Sequence, residues 1–274
     1  MKTIDVENSR IRLLALAGEI REVMSGYGNG FAAGSPAAIE AENVNDTEPI
    51  TGILGQAALM YESVIDHVVA TTRIMSTPIQ SIAPFSLVRS GIEVSSTCCW
   101  LLEPQLITTT RLCRSFALRR NSLEGQRKII NGNPETDDGG FQSRLSYLDQ
   151  KEREHGLERV AVPSATDLTG YWFGGKAHYR LTSSVVHGQP WAISQVAFTR
   201  NDQKKVGEGA VFLEPTLKPN FILYLFVLAL DALARPAWLR TVYAGHDRLK
   251  IEVTLNNAYN DLQMNPERRF WRHG

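Results

Sequence analysis

Residues 86–102 read SLVRSGIEVSSTCCWLL, and this stretch decides the fold class. It is apolar or small around most of a helical circumference, which places it inside a bundle rather than on its surface. Its polar residues are therefore informative. Arg89, Glu93, Ser96 and Trp100 recur at steps of four, three and four, so they share one face of a buried helix, and Arg89 and Glu93 can pair directly.

Helical spacing extends in both directions from this stretch. Leu13, Leu16, Ala17, Ile20 and Met24 mark an amphipathic helix over residues 4–24. The glycines of SGYGNGFAAGSPAA end it, and residues 26–48 are expected to form a flexible Gly/Ala-rich loop. One long helix then covers residues 50–75, entered from the acidic NDTEP, and Pro78 and Pro84 interrupt the chain after it. Pro104 opens a further helix whose buried stripe is Leu112, Phe116, Leu123 and Ile130. Arg111, Arg114 and Lys128 point away from that stripe, while Arg119 and Arg120 flank it and could extend a phosphate-binding surface.

The polar loop NGNPETDDGG occupies residues 131–140, and a short charged helix follows over 141–155. Residues 163–167, PSATD, carry a helix-start signature. Within residues 190–217, WAISQVAF and GAVFLEPT read as the two strands of a small β hairpin. Helix resumes at Pro219, passes a kink at Pro236 and restarts after AGHD, and residues 264–274 form a basic and aromatic tail. The expected fold is mostly α, a single helical domain of about seven to nine helices with a small β hairpin insertion.

A chain of 274 residues with 43% apolar content can bury one large core. Lysine plus arginine and aspartate plus glutamate each number 29, so no overall positive field draws the protein to nucleic acid or anionic lipid. Any polyanion site must be local. Cys98, Cys99 and Cys113 cannot make a disulfide framework and lack zinc spacing; they read as reduced, buried thiols of a cytoplasmic protein. The opening MKTIDVENSR carries charges where a signal peptide needs an apolar run.

The most lipid-like run, FILYLFVLAL at residues 221–230, stops at Asp231. That is well short of the roughly 20 residues that span a membrane, so it reads as a core helix and no membrane contact is expected. Walker, GxGxxG, GxSxG and HExxH motifs are all absent from the sequence. Glu152 to His155 matches Glu-x-x-His but has no second copy, and Glu62 and His67 are five apart, so no metal and no cofactor are expected.

The segment HYRLTSSVVHG, residues 178–188, holds the candidate chemistry. On a helix Arg180, Ser183, Ser184 and His187 fall on one side, with the two ends about 10 Å apart along the axis. Arginine grips phosphate oxygens in pairs and histidine exchanges protons near neutral pH, which suits phosphate chemistry. Equally, a histidine just before Gly188 describes an ordinary helix C-terminus.

Taken together, SLVRSGIEVSSTCCWLLEP, RLCRSFALRR and YRLTSSVVHGQPW resemble the HEPN-type helical bundles (higher eukaryotes and prokaryotes nucleotide-binding), over about residues 84–191 plus the apolar helix near Phe221. The resemblance implies an RNA-directed protein of a stress, toxin or defence system, a homodimeric metal-independent endoribonuclease with Arg180 and His187 as the catalytic pair. It also implies an antitoxin or other regulatory partner. Ser183, Ser184, Arg89, Glu93, Arg119 and Arg120 would line the substrate path. Leu181 departs from the pattern, since active members carry a polar residue directly after the arginine. Two other functions are open: a non-catalytic regulatory module binding a nucleotide or small molecule on its inner polar face, and a helical enzyme acting on a metabolite. Neutral net charge favours both over promiscuous RNA binding.

Overall fold

The computed structural model describes residues 6–28, 30–76, 79–132, 140–205 and 211–262. In chain order the helices are α1 (Val6–Ser25), α2 (Pro36–Val44), α3 (Glu48–Ile74), α4 (Ala83–Leu101), α5 (Thr108–Gly132) and α6 (Phe141–Glu154). After them come α7 (Ala165–Trp172), α8 (Lys176–Val186), α9 (Pro190–Ala197), α10 (Pro219–Ala244) and α11 (Arg248–Asp261). The protein is mostly helical, with eleven helices among the described residues rather than the seven to nine expected.

The centre is a three-helix layer in which α4 packs on both α3 and α10. Helices α1 and α11 cover α10, α7 and α8 lie on α4, and α5 and α6 pack together beside α3. The stretch that set the fold class is the middle of this layer: Val88, Ile92, Ser95, Ser96, Cys98, Cys99 and Leu101 of α4 are all buried. Helix α10 alone among the described helices is long and apolar enough to cross a membrane, yet 78% of that apolar window is buried inside the protein. It is packed as a core helix, apolar all round because protein surrounds it.

Pro236 sits inside α10. It has no N–H to give the carbonyl four residues earlier, that of Ala232. The buried Ser95 hydroxyl of α4 donates to that carbonyl at 2.9 Å, and Tyr61 of α3 donates to Leu233 O at 3.0 Å. Helix α4 thus supplies the one donor that Pro236 lacks, and α3 adds a second bond at the next carbonyl.

Three further expectations are corrected. The stretch 26–48 is not one loop: Ser35 accepts from Ala38 N at 3.1 Å, Pro36 fills the first turn, and α2 follows, ending at a left-handed Asn45. The hairpin expected between WAISQVAF and GAVFLEPT does not form, because the first of these is α9, opened by Pro190. Instead β1 (Phe198–Lys205) pairs antiparallel with β2 (Val211–Pro215), beginning Phe198↔Pro215. Finally, Arg111 is not turned outward but is 3% exposed, its Nε donating to Glu40 of α2 at 2.9 Å. Most of the polar loop 131–140, specifically residues 133–139, and the tail 264–274 lie outside the described residues.

Candidate functional site

Helix α8 buries Thr182 and Val185 and leaves Ser183 and Ser184 half-buried. It ends at Val186; His187 is the capping residue, its N–H donating to Ser183 O, and Gly188 adopts φ +71°. That conformation favours glycine, so the chain reverses here for a local reason. Arg180 and His187 are both exposed. Among the described residues neither side chain has a hydrogen-bond or ion-pair partner, and neither lines a described cavity.

Arg89 reaches α8 through the residue beside Arg180. Its Nη2 donates to the Tyr179 hydroxyl at 2.9 Å and lies 3.0 Å from Glu93 Oε1, and its guanidinium stands 5.2 Å from the Tyr179 ring centre. The pairing of Arg89 with Glu93 is thus present. It fastens α4 to α8, and no described contact brings either residue to Arg180 or His187.

Arg119 and Arg120 are adjacent on α5 and so point about 100° apart. Each opens onto a different cavity. Arg120 lines a polar cavity of about 330 Å³, where it pairs with Asp149 and Glu152, each at 2.8 Å. Arg159 grips the same two carboxylates at 2.9 and 3.0 Å. The hydrogen bond from Arg120 holds the Asp149 carboxyl below its usual range. With Glu124 and Glu158 also on its wall, both cations described in this cavity are already committed to carboxylates. Glu152 is itself buried in this network.

Arg119 lines an open cavity of about 550 Å³ bordered by α3, α5 and α6. Leu59 and Met60 of α3, Leu118 and Leu123 of α5, and Tyr147 and Leu148 of α6 form its walls, with Ser122, Gln126 and Arg144 among its polar groups. The guanidinium is positioned by uncharged groups. With the Gln56 amide oriented so that its oxygen faces donors, it accepts from Arg119 Nε and from the buried Ser115 hydroxyl, each at 2.7 Å. The far end of the side chain sits over Gly52, where a Cβ would come within 1.9 Å of Nη2. Its carbon lies 5.5 Å from the Phe116 ring centre. Among the described residues no carboxylate lies within ion-pair distance of Arg119. At the rim, the Tyr147 hydroxyl donates to Glu48, and burial followed by that bond raises its pKa.

Several buried polar residues escaped the sequence reading. Glu40, Arg111 and Tyr243 form one cluster: Arg111 Nε donates to both Glu40 oxygens, Tyr243 donates to Glu40 Oε2 at 2.8 Å, and the guanidinium lies 4.4 Å from the Tyr243 ring centre. The buried Arg240 donates to the carbonyls of Met24 and Gly28 at the end of α1, where a cation complements the helix dipole. Charged residues inside otherwise apolar runs, Glu40 among the alanines of α2 and Arg240 in apolar α10, were the available signals. The thiols are buried, and burial pushes Cys99 up to about 12, which removes its nucleophilic form near neutral pH. Among the described residues no group of three or more His, Cys, Asp or Glu side chains is placed to hold a metal ion.

No family model, no curated protein and no solved structure matches this chain. The HEPN-like assignment therefore rests on its quoted motifs alone.

Proposed function

We propose that the chain is a non-catalytic binding module that takes a small molecule in the cavity between α3, α5 and α6. The observation that carries this reading is the pairing of apolar walls with one guanidinium fixed by neutral partners. Small-molecule sites are typically concave and apolar with a few placed polar groups, within about 300–1,000 Å³. The neutral net charge supports a small ligand over a long polyanion.

The HEPN-like ribonuclease reading needs Arg180 and His187 to converge on a sheltered phosphate. Both side chains face solvent, so that arrangement requires a second copy to close over α8.

The test uses the uncharged fluorophore Nile red. Saturable binding to the native protein is expected, and it should be lost in Ser122→Trp, which fills the cavity from an exposed position on its wall. The melting temperature should be unchanged. Absence of saturable binding, or equal binding by the variant, would overturn the reading. Cleavage of mixed RNA in chelator by the native protein, but by neither Arg180→Ala nor His187→Ala, would replace it with the ribonuclease.

A further inference from the structure

We infer that the ligand class of this cavity is a small amphiphile with a single anionic head, a carboxylate on an apolar body, and that Arg119 is the residue that selects the head. The inference rests on the cavity being the binding site and adds the chemistry of its occupant.

The apolar walls define the body. Leu59 is 76% exposed at the mouth, and Leu118, Leu123 and Leu148 continue the apolar surface inward. An exposed leucine beside a half-buried methionine is surface that an apolar ligand would cover.

The head is defined by what Arg119 lacks. Arg10, Arg12, Arg21, Arg89, Arg111, Arg114, Arg120 and Arg159 each hold a carboxylate within 3.1 Å. Among the described residues Arg119, though half-buried, has one side-chain acceptor, the Gln56 amide oxygen at Nε. A guanidinium carries five donors in a planar fork that matches a carboxylate, and its charge in a partly dry site favours an anion over a neutral group of equal size. Arg144, the other cation on the wall, is exposed and donates to Gln126 at 2.8 Å.

Gly52 makes the arrangement possible. The side chain that a Cβ would strike is flexible, so Gly52→Ala displaces the guanidinium rather than the helix. Alanine also improves helix propensity at this α3 position. The substitution therefore separates the cation's placement from the stability of the fold.

The experiment competes decanoate against decanol for bound Nile red on the full chain. Decanoate is expected to displace the dye at a concentration lower by about tenfold or more, the scale of a charge-assisted hydrogen bond. In Arg119→Met, which keeps the apolar volume, the two competitors should become equal. In Gly52→Ala the preference should fall while the melting temperature holds or rises. Equal competition on the native protein would overturn the carboxylate assignment and leave the binding module standing, whereas failure of Nile red to bind would remove the module itself. A preference that survives Arg119→Met would refute Arg119 as the selector.

Discussion

Replacing Glu40 with alanine tests the buried cluster most directly. Its side chain is 8% exposed and that of Arg111 is 3% exposed. Glu40 accepts from Arg111 Nε at 2.9 and 3.2 Å and from the Tyr243 hydroxyl at 2.8 Å. Without it, Arg111 keeps only the Leu101 carbonyl at 3.0 Å and the face of Tyr243. Breaking a buried pair from one side costs about 3–5 kcal/mol, and an orphaned buried hydroxyl adds about 1 kcal/mol, so the expected loss is about 4–6 kcal/mol. Urea unfolding followed by circular dichroism measures it. Because total stability is about 5–15 kcal/mol for typical domains, Glu40→Gln is the companion variant. It keeps one acceptor oxygen for Tyr243, removes the charge and turns the other oxygen into an amide donor, and should lose roughly half as much. The double variant Glu40→Met/Arg111→Met should recover most of the loss, since apolar groups of similar volume replace such pairs at little cost. A loss under about 1 kcal/mol for Glu40→Ala, or a double variant no better than the single, would refute the reasoning.

The remaining predictions concern α10 and its flank. Ser95→Ala leaves the Ala232 carbonyl without the donor that Pro236 cannot supply and should cost about 1–3 kcal/mol in urea unfolding. In a Pro236→Ala background, which restores the N–H, that cost should nearly vanish, and an unchanged cost would refute the assignment. His246 stacks on Tyr27 at 4.1 Å, and burial, then the charge of Arg240, lower its pKa from 6.5. The unfolded chain therefore binds the proton more readily, so this contribution is complete above pH 6.5 and is lost as pH falls toward the folded value. Thermal melts should show a smaller drop below pH 6.5 for His246→Gln than for the native protein; identical drops would exclude His246 as a source.

Much of the helical framework was legible because its punctuation is local. Pro49 and Pro219 lie in the first turns of α3 and α10, and Ser164 caps α7 by accepting from Asp167 N at 3.2 Å. Helix α2 was hidden because the glycines before it outweighed the Ser35-Pro36 start signal. Helix α9 was misread because Trp191, Ile193, Val196 and Phe198 favour strands, whereas Pro190 and the burial of Ala192, Val196 and Ala197 fix a helix. Periodicity along α5 could not reveal that Arg111 has its acid 71 residues away. The same limit applies to the site. Arg119 stood out as a cation beside an apolar stripe, but the cavity is a gap among three helices, and no one-dimensional pattern records a gap.

Helix α10 has no polar side to tell it which way to turn, so greasy burial alone would accept it at many angles about its own axis. Directional bonds settle the choice. Ser95 and Tyr61 hold the Ala232 and Leu233 carbonyls, Tyr259 holds Asp231 at 2.6 Å, Arg240 reaches the end of α1, and Tyr243 reaches α2. Five sparse contacts thus act as keys in a lock, adding directional bonds to the shape complementarity that orients the central rod.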